Sequence, residues 1–203
     1  QGDKVAILST NMPNWGVSFF AILKLGAIVV PILPDFHENE VKTIIEHSEA
    51  NILFVSEGLY KNVNDDALKL IDQLILVESF AIVPKGSAAE QITLLETALP
   101  SIKKEIPHVE VEEEDLASII YTSGTTGNSK GVMLTHKNLT WTTQQCKSLY
   151  EVKNTDRFLS ILPLSHSLEN TVGFLLPVMH GASVYYLRKP PVASVLLPAL
   201  QLV

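Results

Sequence analysis

The residues best suited to chemistry form one run: Tyr121-Thr122-Ser123-Gly124-Thr125-Thr126-Gly127-Asn128-Ser129-Lys130-Gly131. Glycines let backbone N–H groups approach an anion closely, and consecutive N–H groups form an anion-binding nest. The hydroxyls of Thr122, Ser123, Thr125 and Thr126 add neutral donors that rotate to suit phosphate oxygens. Lys130 supplies a mobile positive charge. An apolar segment, Leu116–Ile120, feeds the run, and another, Val132–Leu134, leaves it. A Gly/Ser/Thr linker has a similar composition, but a linker is not pinned between two apolar strands. The NTPase loop G-x-x-x-x-G-K-[ST] fails on spacing, because Ser129 stands five residues after Gly124 and Gly131 follows Lys130. The run therefore reads as a polyphosphate-binding loop of another kind.

A second candidate is Leu162-Pro163-Leu164-Ser165-His166-Ser167-Leu168-Glu169-Asn170, where a strand gives way to a helix. Ligands of open α/β sheets gather at the carboxyl ends of strands. His166 in such a turn is either a structural histidine or a pocket residue, and Glu169 either lines the site or pairs with a neighbouring base. The acidic run Glu110, Glu112, Glu113, Glu114 and Asp115 has no metal-loop ligand pattern and reads as a solvated linker. His136 fits a helix start, and Trp141 and Cys146 fit packing positions behind it.

The elements that must position these residues alternate regularly. Strands are expected at Lys4–Leu8, Ala27–Ile32, Asn51–Val55, Gln73–Val77, Leu116–Tyr121, Gly131–Leu134, Arg157–Leu162 and Ala182–Leu187. Helices are expected at Pro13–Leu25, Glu38–His47, Ala89–Leu99, His136–Leu149, Leu168–Met179 and Val192–Leu202, with Thr135 capping the fourth. The alternation predicts an α/β fold of mostly parallel sheets flanked by helices. A subdomain boundary is expected near residue 110. The chain lacks an initiator Met, opens on a strand and ends in an apolar segment, so it reads as a piece of a larger protein.

Composition excludes other classes. The 203 residues carry 15 Lys and Arg against 22 Asp and Glu, a net charge of −7, which disfavours a nucleic-acid partner. The single cysteine cannot form an intrachain disulfide and fits a reducing compartment. Phe19–Leu33 is interrupted by Lys24, Gly26 and Pro31, short of the ~20 apolar residues of a membrane span.

Thr122 through Gly131 resembles the phosphate-binding motif of the adenylate-forming superfamily, roughly [ST]-S-G-[ST]-T-G-x-P-K-G, departing from it at Ser129, where proline is usual. That superfamily includes acyl-CoA synthetases, luciferases and nonribosomal-peptide adenylation domains. Leu23-Lys24-Leu25-Gly26-Ala27-Ile28-Val29-Val30-Pro31 is similar to its L-K-x-G-A-x-x-V-P segment. The form L-P-L-S-H-x-x-E looks most like the long-chain fatty acyl type. The resemblance implies the large N-terminal domain of a fatty acid–CoA ligase, which activates a carboxylate as acyl-adenylate and then forms the CoA thioester. It implies ATP, Mg²⁺ and CoA as substrates or cofactors. By it, Ser123, Gly124, Thr125, Thr126, Gly127 and Lys130 contact the β- and γ-phosphates, with Thr122 beside them and also at Mg²⁺. His166 falls at the acyl or CoA-side pocket. It places the catalytic residues outside these 203 residues, so that the chain alone is expected to be inactive, and it puts the protein in the cytoplasm, free or at a membrane periphery. An acyl–carrier-protein ligase, an amino-acid adenylation domain and a non-catalytic nucleotide- or lipid-binding module remain the alternatives.

Overall fold

A computed structural model describes residues 1–84, 86, 108–122, 129–148, 150–187, 191–201 and 203. The first strand, β1 (Lys4–Leu8), alternates its faces with period two. Val5 and Ile7 enter one apolar core, while Ala6 and Leu8 enter another on the opposite face. Helix α1 (Pro13–Lys24) opens with proline at its first position, where the missing N–H costs nothing. It buries Trp15, Phe19 and Ile22, at i, i+4 and i+7, in the Val5/Ile7 core. It closes at Gly26, whose φ of 66° is the left-handed conformation that glycine adopts without strain. A Cβ there would also stand 2.8 Å from Val109 Cγ1.

Strand β2 (Ile28–Ile32) is wholly buried, and helix α2 (Glu38–Ser48) then crosses to the other face, where Val41, Ile44 and Ile45 pack with Ala6 and Leu8. β3 (Ile52–Val55) follows, then a 3-10 turn at Glu57–Asn62, α3 (Asp65–Leu70), β4 (Gln73–Leu76) and β5 (Ile82–Val83). Strands β6 (Leu116–Thr122) and β7 (Lys130–Thr135) complete a sheet ordered β5-β4-β3-β1-β2-β6-β7. β1, β2, β3, β4 and β6 run parallel, and β5 and β7 join antiparallel at the two edges. Pro31 has no N–H for the ladder, and the β2–β6 pairing is short, with Val29 facing Ser118. The Ser118 hydroxyl donates to the Val29 carbonyl at 3.0 Å and reinforces that junction.

Helix α4 (His136–Cys146) starts at Thr135 with a reciprocal cap. Asn138 N–H donates to Thr135 Oγ1 at 3.2 Å, and Thr135 N–H donates to Asn138 Oδ1 at 2.9 Å. The acidic run is docked on this helix start, not simply solvated. Glu114 pairs with Lys137 at 2.5 Å, and Lys137 N–H donates to the Glu113 carbonyl at 2.8 Å. Leu139 and Thr143, one turn apart, face inward, so Trp141 points the other way and is 59% exposed; the packing expected of it is not observed.

A second, two-stranded parallel sheet joins β8 (Arg157–Ser160) to β9 (Ser183–Tyr186). Between them, the expected helix is wound as a π-helix over Glu169–Leu175 before tightening into α5 (Leu176–His180). Pro177 cannot donate to a carbonyl one turn back, which favours the wider winding ahead of it. Helix α6 (Ala193–Leu200) buries none of its residues. The expected helix at Ala89–Leu99 lies outside the described residues. The fold is thus the α/β arrangement anticipated, with parallel strands at its centre and helices on both faces.

Candidate functional site

β6 and β7 form a hairpin in which Thr122 faces Lys130 and Tyr121 faces Gly131. The polyphosphate-loop candidate therefore hangs from two paired strand ends at the carboxyl edge of the parallel sheet. Both end residues are exposed, and Lys130 makes no ion pair among the described residues. Lys130 brings a cation opposite a neutral threonine in the hairpin register, an arrangement suited to an anion. Ser123, Gly124, Thr125, Thr126 and Gly127 lie outside the described residues.

The second candidate segment reaches the same edge by a different route. Asn11, three residues past the end of β1, clamps it from three sides. Its Nδ2 donates to Ser160 Oγ at 2.9 Å and to the Leu162 carbonyl at 2.6 Å, and its Oδ1 accepts from Leu164 N–H at 2.8 Å. One strand, β2, separates β1 from β6, so the turn that carries Asn11 and the hairpin end at Thr122 leave the main sheet about 10 Å apart at ~4.8 Å per strand, and Asn11 ties the segment after β8 to this edge. Asn11 is the residue that sequence reasoning missed. A lone Asn after a strand has the composition of any turn, and only the tertiary pairing reveals its use.

His166 is exposed, and its Nδ1 accepts from Leu168 N–H at 3.2 Å. The imidazole thus caps the helix start, and in the neutral ring this fixes the proton on Nε2, which points away from the cap. The structural and pocket readings of this residue are compatible, because each uses a different nitrogen. Glu169 takes no basic partner among the described residues. It is buried, folds back across Gly173, and accepts from Ile161 N–H at 3.2 Å and Leu162 N–H at 3.3 Å. A Cβ on Gly173 would stand 2.6 Å from Glu169 Cδ and closer still to its Oε1, well inside van der Waals contact, so glycine makes room for the carboxylate. Burial pushes the nearby Tyr186 phenol up, and the Glu169 charge adds to the shift.

Elsewhere, an apolar cavity of about 820 Å³ is lined by residues including Phe19, Leu23, Val109, His136 and Val178. It lies at the opposite end of β6, roughly 20 Å from Thr122 at ~3.3 Å per residue. Burial lowers the His136 pKa there, partly opposed by Asp115. Among the described residues, no group of three or more His, Cys, Asp or Glu converges to hold a metal. Among them, too, no helix is long and apolar enough to cross a membrane.

The model of the family described as AMP-binding enzyme matches residues 1–201. The chain belongs to that family. It is 29% identical over 189 residues to a long-chain-fatty-acid–CoA ligase of Bacillus subtilis, covering 82% of this chain and 34% of the relative. It is 32% identical over 201 residues to 4-coumarate–CoA ligase 1 of Solanum tuberosum, covering 97% and 35%. The anthranilate CoA ligase AuaEII, solved in complex with anthranoyl-AMP, superposes on 98% of this AMP-binding chain and 36% of its own. That superposition has a TM-score of 0.76 at 25% identity. The chain spans about a third of the length of the curated relatives it matches. The acids in these relatives' names differ widely, so kinship fixes the AMP-binding family and leaves the substrate class open.

Proposed function

We propose that this chain supplies the triphosphate-binding hairpin and part of the acid pocket in the N-terminal domain of an ATP-dependent acid–thiol ligase acting on long-chain fatty acids. One observation carries the reading: Thr122 and Lys130 face each other at the carboxyl edge of a parallel sheet, at the two ends of a glycine- and hydroxyl-rich loop. In this reaction a carboxylate oxygen attacks the α-phosphorus of MgATP and pyrophosphate leaves. The CoA thiolate then attacks the acyl carbon and AMP leaves. The residues of this chain manage charge and position. Lys130 and the donors of Ser123, Gly124, Thr125, Thr126 and Gly127 hold the β- and γ-phosphates, so that charge gathering on the departing pyrophosphate meets fixed donors. The Thr122 hydroxyl is a neutral oxygen of the type that the Mg²⁺ of MgATP accepts. His166 presents Nε2–H toward the acyl or CoA side. No residue of this chain is assigned a bond-making role. The reaction is placed in the cytoplasm, free or at a membrane surface.

The long-chain assignment rests on the L-P-L-S-H-x-x-E segment and the fatty-acid relatives. The 32% identity to a coumarate ligase favours an aromatic acid as the second reading. Carboxylate-dependent ATP–pyrophosphate exchange by the complete protein decides between them. Exchange with palmitate above that with coumarate, anthranilate or amino acids is expected, and exchange with aromatic acids alone replaces the fatty acid.

A further inference from the structure

Tyr121 is the last buried residue of β6 before Thr122, with 4% of its surface exposed. Across the hairpin its partner is Gly131, where a Cβ would stand 3.2 Å from Tyr121 Cζ and 2.8 Å from Ile119 Cγ2. The missing side chain lets the Tyr121 ring lie against the neighbouring strand. It also leaves the ring with nothing from that position to brace it. The brace comes instead from α2. The Tyr121 hydroxyl lies 2.6 Å from His47 Nδ1, and the two rings meet edge to face, with centroids 5.7 Å apart at 88°. The contact joins residues 74 positions apart. His47 is itself exposed, so burial of its ring does not account for its place on the helix. Burial pushes the Tyr121 phenol up from its ordinary value, so the hydroxyl is neutral at physiological pH as an unperturbed phenol also is.

β7 is the outermost strand of the sheet, so the hairpin end that carries Lys130 has a strand partner on one side alone among the described residues. A tie from α2 to the residue adjoining Thr122 limits how far this end can swing. We propose that the His47–Tyr121 hydrogen bond is a positioning contact that fixes Thr122 and Lys130, the two ends of the loop, for the triphosphate of MgATP. This rests on the phosphate-binding reading above. Neither residue touches the nucleotide; each acts through the backbone of the hairpin.

The test uses ATP–pyrophosphate exchange by the complete protein, with separate KM values for MgATP and carboxylate. Tyr121→Phe keeps the buried ring and removes the hydroxyl. His47→Phe keeps the ring contact and removes the nitrogen. Each is expected to raise the KM for MgATP about fivefold, the size of one neutral hydrogen bond, and to leave the carboxylate KM unchanged. The double variant should also stand about fivefold above wild type, since either change alone breaks the bond. His47→Asn, whose amide sits near the place of Nδ1, should return the KM to within about twofold of wild type. A KM for MgATP that is unchanged in both single variants overturns the proposal, even if both melt at lower temperature. So does a double variant near twenty-five-fold, which would make the two effects independent. Wild-type protein with no carboxylate-dependent exchange overturns the phosphate-binding reading itself, a result the variants cannot mimic.

Discussion

At the scale of single residues, two side chains do work that their types do not announce. Asn11 makes three hydrogen bonds to the segment at 160–164 and so ties the chain leading to His166 to the turn after β1. Asn11→Ala leaves the Leu164 N–H and the Leu162 carbonyl without that partner. A loss of about 2–3 kcal/mol in urea unfolding is expected, from ~1 kcal/mol per bond. An unchanged midpoint would show that the clamp carries no stability. His166 has its Nδ1 occupied by the helix cap. His166→Ala should alter the ratio of kcat/KM between short and long fatty acids and leave the KM for MgATP near wild type. A change confined to MgATP would move His166 out of the acid pocket. Sequence alone pointed to His166 and Glu169 but not to their bonds. The carboxylate of Glu169 serves backbone amides seven and eight residues earlier in the chain, which no spacing rule anticipates.

At the scale of elements, the strands were legible wherever β-branched runs met turn residues. Eight of them lie within two residues of their expected ends. β5 is two residues long and gives no periodic signal. The 3-10 turn at Glu57–Asn62 and α3 were also missed. α3 is held by Asn64, whose Oδ1 accepts from Ala67 N–H at 2.9 Å, and by Ala67 packing beneath it, over too few residues to show a period. The helix after His166 lies within a residue of its expected ends, but its π winding, which Pro177 favours, has no periodic signal. Helix α4 supplies a pH test. His136 is its first residue, partly buried beside an apolar cavity, and burial holds its pKa below the ordinary 6.5. A positive charge is also unfavourable at a helix N-terminus. The folded state therefore binds the proton less readily than the unfolded chain does. Its contribution is fully present above about pH 6.5 and is lost as pH falls through the lowered folded value. Urea midpoints should drop between pH 7.5 and 5.5, and His136→Gln should reduce that drop. An identical drop in the variant would assign the pH dependence to other groups.

At the scale of the whole molecule, the sheet order brings two segments distant in sequence to one edge. β1 sends Asn11 to the segment that bears His166, and β6 ends at Thr122, with β2 between them. The candidacy of the loop as an anion site is legible from residue types alone, because such a site needs glycines, hydroxyls and a cation within a few positions. The convergence of the two segments is not, since it depends on the order of strands in the sheet and on a side-chain clamp. On the proposed function, the hairpin closed by Thr122 and Lys130 holds the triphosphate during adenylate formation. Palmitate-dependent ATP–pyrophosphate exchange by the complete protein, wild type against Lys130→Ala, tests it most directly. Loss of one charge-assisted hydrogen bond of ~1.5–3 kcal/mol should slow exchange roughly ten- to a hundredfold, with the fold retained. Exchange by Lys130→Ala at the wild-type rate would take the triphosphate away from this hairpin.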